Sequence, residues 1–217
     1  STRGSARLTG DIVPPERTIN IGLAASSQLI ALHDGSLAKW YANSPEQVDP
    51  GDDLDTLIPA QHFCNFSLWN HEDEARRRDV SDTVIARTKR AIDGWNQKRN
   101  DLIERIDLTL LHLLGDVDVS AAALHSETAG MMIDRLSILS LKIHHMGKYA
   151  EDASDPELKA ECEQKKERLG HQRSDLASCL DALLADFRAG KRHFKIYRQY
   201  KAYNDARLNP ALRAKGA

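Results

Sequence analysis

The chain has 217 residues, of which 41% are hydrophobic and 29% charged, so it can bury a core and is not disordered throughout. Its 30 basic and 32 acidic residues give a net charge of −2, which provides no overall attraction to nucleic acid or to an anionic membrane. No run of about 18 apolar residues occurs, and no apolar core of a signal peptide follows the N-terminal arginines. We therefore expect a cytoplasmic protein without a membrane span and without a specific nucleic-acid partner.

Helical spacing of apolar residues dominates the first third of the chain. A first helix is predicted from about Ile19 to Asn43, and it must stop before Pro45. An acidic loop with proline and glycine follows. Pro59 fits the first turn of a second helix, which is predicted to end near Arg77.

Two long helices are predicted, over residues 82–114 and 156–189. Ser81 is a suitable N-cap for the first of them, and Gly115 a suitable C-terminal stop. Ser154 is the predicted cap of the second, because a proline and a glutamate follow it at the spacing of a capping box.

Between the two long helices, the segment TAGMMIDRLSILSLKIHHM is apolar on nearly all sides, which is typical of a central helix. No segment alternates with the period of a strand. The prediction is an all-α bundle of five or six helices, the sixth being a short helix in the basic tail. We expect a flexible arm over residues 1–18, one bundle domain over 19–204 and a basic tail over 205–217.

Three helices each place a charged residue on a line of apolar residues that should face the core. These residues are Asp73, Arg99 and Asp134. Because an unpaired buried charge is costly, Arg99 is expected to bridge the two carboxylates inside the bundle. Two other interpretations stay open: the network only fixes the helix register, or helix rotation turns these charges to solvent.

A polar row runs along the third helix beside its apolar line, and it includes two asparagines four residues apart. Asparagine is a poor helix former, so the pair favours hydrogen bonds to a ligand, although a solvated helix face would give the same row. The second helix supplies the opposite wall of the predicted cleft. The candidate ligand-binding residues are His62, Asn65, Asp73, Arg76, Lys89, Asp93, Asn96, Arg99, Asn100 and Asp134.

Three consecutive arginines end the second predicted helix. Arg76 continues the line of Trp69 and Asp73, so it is predicted to contact the cleft or the acid network. Arg77 and Arg78 are interpreted as solvated charges at a helix C-terminus, where cations are favoured.

An alternative site would use four carboxylates. Glu72 and Asp73 on the second helix, with Glu104 and Asp107 on the third, could surround Mg²⁺ between antiparallel helices. This arrangement loosely resembles the all-α nucleoside-triphosphate pyrophosphohydrolases, but the sequence EDEAR departs from their spacing of acids. No Glu-x-x-His, GxGxxG or GxxxxGK[ST] occurs, so no cofactor is expected outside this magnesium alternative.

Four blocks occur in the order LWNHEDEARR, KRAIDGWNQKRNDLIERID, SETAGMMIDRLSILSLKIHHM and YRQYKAYNDARLNP. They resemble the bacterial domain-of-unknown-function 4254 family, and the resemblance covers roughly Ile19 to Leu212. It implies an all-helical fold and a gene that is often encoded near those of glycosyltransferases for cell-surface glycans. Ala202 departs from the family pattern, which has methionine there, and the departure concerns packing.

The residues do not fix a reaction, and two kinds of function remain open. The protein either binds a small anionic ligand (phosphate, nucleotide or sugar nucleotide) between the second, third and fourth helices, or it is an interaction module for a partner protein. A heptad-like seam with Lys165 and Gln172 as polar interruptions predicts that the last long helix forms a homodimer.

Overall fold

A computed structural model describes residues 25–43, 45, 47–198, 202 and 205–213. The predicted all-α bundle is confirmed. Its helices are α1 (Ser26–Ala42), α2 (Leu54–Glu74), α3 (Asp82–Leu114), α4 (Ala129–Asp152) and α5 (Pro156–Arg188). The predicted arm and the predicted start of the first helix at Ile19 lie outside the described residues.

The two long helices are confirmed, and each contains 33 residues, or about 50 Å of helix. Ser81 precedes α3, and Gly115 ends it with a φ of 75°. The cap of α5 is Asp155 rather than the predicted Ser154, because the Asp155 carboxylate accepts a hydrogen bond from the N–H of Glu157. Both helices begin and end within a residue or two of the prediction, although Ser81 forms no side-chain capping hydrogen bond.

The limits of α2 differ from the prediction at both ends. The helix begins earlier because Asp53 caps it, accepting a hydrogen bond from the N–H of Thr56 at 2.9 Å. Pro59 consequently lies inside the helix instead of in its first turn. The helix ends at Glu74, so Arg77 lies outside it.

The central position of α4 is confirmed, because this helix packs against each of the other four. Thr128 caps it by accepting a hydrogen bond from the N–H of Met131. Its side chains Ile133 and Leu136 are fully buried in a core to which all five helices contribute. A smaller aromatic cluster around Phe63 joins α1, α2 and α4.

A parallel pair of two-residue strands was not predicted. Strands β1 (Ala123–Leu124) and β2 (Arg192–His193) pair where the chain leaving α5 passes the connection between α3 and α4. The predicted tail helix lies partly outside the described residues, and its described end, in residues 205–213, forms turns. Within the described part of the chain, every helix is too short or too polar to traverse a lipid bilayer.

Candidate functional site

Buried polar side chains link α2 to α4. The Asn65 side-chain amide donates hydrogen bonds to Oδ1 of Asp134 and to Oγ of Ser137, both at 2.9 Å. Gln61, one turn earlier on α2, donates to the same oxygen of Asp134. Gln61 and Asn65 are four residues apart, and Asp134 and Ser137 are three apart, so each pair lies on one face of its helix. These two faces of α2 and α4 are in contact.

The network continues to α1 through His62. Its Nδ1 lies 2.7 Å from Oγ of Ser137, and its Nε2 lies 3.1 Å from the carbonyl oxygen of His33. A carbonyl can only accept, so Nε2 carries the proton and Nδ1 accepts from the serine hydroxyl. Burial lowers the pKa of His62 to about 3, so the ring is neutral.

Arg99 of α3 approaches this network from the other side. Its Nε lies 3.7 Å from Oδ1 of Asp134, which is longer than the 2.7–2.9 Å of a charge-assisted hydrogen bond. This Nε is buried and forms no hydrogen bond with any described residue. Burial raises the pKa of Asp134, and the charge of Arg99 opposes that rise. The predicted proximity of Arg99 and Asp134 is confirmed.

The expectation that Asp73 belongs to the buried network is wrong. Asp73 is exposed, and Arg76 pairs at 2.8 Å with Glu72 while 70% of its side chain remains exposed. The half-buried Trp69 marks the edge of the core, and α2 ends one turn later. The apolar line of α2 therefore leaves the bundle before it reaches these charges.

The first cavity, of about 250 Å³, lies between α3, α4 and the segment after β2. The carboxylate of Asp107 is buried in its wall and accepts a hydrogen bond from the N–H of Gly130 at 2.6 Å. Burial raises the pKa of Asp107 to about 6, and the charge of Glu104 adds to the rise. The lining residues are Arg99, Asn100, Ile103, Glu104, Asp107, 126–128, Met131, Asp134, Arg135 and 195–197.

The second cavity, of about 340 Å³, lies between α2, α3 and α4, where the sequence predicts a cleft. Its wall combines apolar side chains with acids and arginines. The lining residues are Asn65, Leu68, Trp69, Glu72, Asp73, Arg76, Arg99, Ile138 and Leu141. Arg99 lines both cavities, so its side chain forms part of the partition between them.

The polar row of α3 does not face one ligand. Lys89 lies 3.5 Å from Glu72 of α2 in an exposed ion pair. Asp93 is exposed, Asn96 is half-buried, and neither lines either cavity. Asn100 lines the first cavity, as do Glu104 and Asp107 further along the same row. The N-terminal half of the row is thus largely solvated, which was the alternative interpretation, whereas its C-terminal half lines a cavity.

Sequence reasoning missed Gln61 and Ser137 as members of the network. A usable signal existed, because each lies one turn from a predicted residue, Asn65 or Asp134, on the same helix face. Both are buried polar residues, and the hydrogen bonds that stabilise them cross between helices distant in sequence.

The four carboxylates of the magnesium alternative divide between the two cavities. Glu72 and Asp73 line the second cavity, whereas Glu104 and Asp107 line the first. Among the residues that the structure describes, no group of three or more histidine, cysteine, aspartate or glutamate side chains is arranged to hold a metal ion.

Comparison with known proteins gives one match. Residues 55–196 match a family described as a protein of unknown function (DUF4254). No curated protein and no solved structure matches the chain. The matched range begins within α2 and includes α3, α4 and α5, so it contains every residue that lines the second cavity and all but Tyr197 of those that line the first.

Proposed function

The chain belongs to the DUF4254 family of proteins of unknown function, and we propose that this domain binds a small phosphate-bearing ligand at Arg99 in the second cavity. The observation that carries the proposal is the state of Arg99. Arg99 lines both cavities, and its Nε lies 3.7 Å from Asp134 and forms no hydrogen bond with a described residue. A phosphate oxygen is the type of acceptor that this planar donor binds best.

The charges around Asp134 favour an external anion as the partner of Arg99. Asp134 already accepts hydrogen bonds from Gln61 and Asn65, and its pKa is raised. The two amide donors stabilise the Asp134 carboxylate, and burial favours its protonated form. A phosphate can therefore bind the Arg99 guanidinium without leaving a buried carboxylate charge unpaired.

A second arginine, Arg76, also lines this cavity. It pairs with Glu72, and Lys89 of α3 lies 3.5 Å from the same carboxylate. Glu72 is thus paired with two exposed cations. A phosphate that enters the cavity can bind Arg76 while Lys89 stays paired with Glu72.

The first cavity is less suited to an anion. Its wall holds four acids (Glu104, Asp107, Glu127 and Asp134) against three bases (Arg99, Arg135 and Lys195). Arg135 is also already paired, through Nη1, with both carboxylate oxygens of Glu127 at 2.7 Å.

The volume of the second cavity limits the size of its ligand. A volume of about 340 Å³ lies near the lower end of the 300–1,000 Å³ typical of ligand sites. Such a cavity suits a phosphate or a mononucleotide, whereas a sugar nucleotide would extend past the rim. An accessory role in cell-surface glycan biosynthesis, which the family resemblance implies, would use ligands of this class.

The test is calorimetric titration with inorganic phosphate and a panel of nucleotides and sugar nucleotides, each with and without Mg²⁺. A ligand that binds the native state also raises the unfolding temperature, which gives an independent screen. Arg99→Lys keeps the charge but loses the planar fork, so we expect affinity to fall at least about tenfold. Arg76→Gln should weaken binding by about fivefold, because its side chain is largely exposed.

Arg77→Gln is the matched control. Arg77 pairs with Glu74 and Asp79 and does not line the cavity, so its substitution should leave affinity unchanged within about twofold. A larger loss from Arg77→Gln than from Arg76→Gln would contradict the proposed site. If no compound binds the wild type, the network serves helix register alone and the interaction-module interpretation takes its place.

A further inference from the structure

Trp69 is the aromatic residue in the wall of the second cavity. Its indole stacks on the imidazole of His145, with ring centroids 4.3 Å apart and planes 11° apart. The indole Nε1 is buried and forms no hydrogen bond with a described residue. A buried N–H without an acceptor is unusual for tryptophan, and its position at a cavity suggests that a ligand supplies the acceptor.

A second layer of rings holds His145 in place behind the indole. Tyr41 Oη of α1 lies 2.8 Å from Nε2 of His145, and the Tyr41 ring stacks on His144 with centroids 4.6 Å apart. Both histidines are half-buried in one ring cluster. Burial lowers the pKa of both histidines, which favours neutral rings that stack well.

The cavity thus has two chemically distinct parts. Trp69, Leu68 and Leu141 supply a flat aromatic and aliphatic surface, whereas Arg76 and Arg99 supply charge. Inorganic phosphate or a sugar phosphate would use the arginines but leave the apolar surface without a partner. A ligand with a phosphate at one end and a flat aromatic group at the other would use both parts.

We propose that Trp69 forms the base-binding part of this cavity, so that the ligand is a nucleotide rather than a sugar phosphate. This inference rests on the proposed function and names its ligand class. The base packs against the indole and the apolar floor, the Nε1 donor is available to a base carbonyl or ring nitrogen, and the phosphate reaches Arg99. His145 and Tyr41 keep the indole in one orientation.

The test compares adenosine monophosphate with ribose 5-phosphate, which share the ribose and phosphate and differ by the base. By calorimetry, wild-type protein should bind the nucleotide at least about tenfold more tightly, within the range that stacking on an aromatic side chain provides. Trp69→Leu should reduce nucleotide affinity to that of ribose 5-phosphate and leave the sugar phosphate unaffected. Trp69→Phe keeps a stacking ring and should retain most of the difference.

A second measurement, tryptophan fluorescence, does not depend on the folding of Trp69→Leu. The chain has three tryptophans, and stacking of a base should quench the fluorescence of Trp69 in the wild type but not in folded Trp69→Phe. Equal affinity for the two ligands, or an equal loss of both in Trp69→Leu, would overturn the nucleotide inference and leave phosphate binding intact. Failure of both ligands to bind the wild type would overturn the proposed function as well.

Discussion

His33 illustrates how burial decides the behaviour of a single residue. Its side chain is fully buried, its ring lies 4.4 Å from that of His62, and neither ring nitrogen hydrogen-bonds a described residue. Burial, with smaller contributions from the neighbouring His62 and Arg173, lowers the pKa of His33 well below its usual 6.5. The fold therefore holds two neutral histidines that would take up protons if the chain unfolded near pH 5.

The first prediction at this scale concerns stability against pH. Both histidines have a lower pKa in the folded state than in the unfolded state, so their contribution is present above about pH 6.5 and is lost as pH falls below it. His33→Phe removes one of these groups. As the pH falls from 7 to 5, the unfolding free energy of the variant should therefore fall by about 2 kcal/mol less than that of the wild type.

Urea denaturation at a series of pH values measures this difference. His171→Gln is the control, because His171 is exposed on α5 and its substitution should leave the curve unchanged. Asp107 acts in the opposite direction, since its raised pKa of about 6 favours the folded state as pH falls. The unfolding free energies of His33→Phe and wild type are therefore compared at each pH. Parallel plots of unfolding free energy against pH for the two proteins would contradict the prediction.

At the scale of elements, the contact between α3 and α4 depends on close approach at Gly130. A Cβ atom there would lie 2.8 Å from the carbonyl oxygen of Ile103 and 2.9 Å from the carboxyl carbon of Asp107. The neighbouring atoms belong to backbone and to a buried side chain, so they cannot move aside freely. The same contact shapes the first cavity, because Asp107 lies in its wall.

Gly130→Ala should therefore destabilise the protein by about 1–3 kcal/mol, although alanine is the better helix former. Gly94→Ala on α3 is the matched control, since no atom lies within 4 Å of a Cβ built there. That substitution should stabilise by about 0.5–1 kcal/mol. Chemical denaturation of both variants gives the comparison, and a stabilising Gly130→Ala would mean that the helices separate without cost.

At the scale of the whole molecule, α5 extends beyond the bundle at its N-terminal end. Between residues 156 and 168, Cys162 is the one buried side chain, and Leu158 is 48% exposed. In the C-terminal half of this helix, Leu176 and Leu183 belong to the chain's own core. If a second copy packs against α5, we expect the contact in the N-terminal half of this helix.

The homodimer stays a prediction, and it now has a specific location. Sedimentation at micromolar concentration should show a dimer, and Leu158→Glu should shift it toward monomer by placing a charge in the contact. Leu108→Glu, at a leucine of α3 that is 57% exposed, should have no such effect. A wild-type protein that sediments as a monomer would count against the prediction.

The sequence by itself determined the helices whose signals are local. Residues 82–114 form α3 between Ser81 and Gly115 as predicted, because a helix bonds to itself and its caps lie next to it in sequence. The buried α4 followed equally from its own apolar surface. Of the candidate site, the pairing of Arg99 with Asp134 was predictable, because a charge on a long apolar line requires a partner.

Only the tertiary structure decided which of those charges is buried. Asp73 and Asp134 occupy equivalent places in their helical patterns, yet the first is exposed and the second buried. The pairing of β1 with β2 and the stacking of Trp69 on His145 likewise join residues about 70 or more positions apart. Burial depends on where helices end relative to their neighbours, and these contacts between distant segments leave no periodic signal in either segment alone.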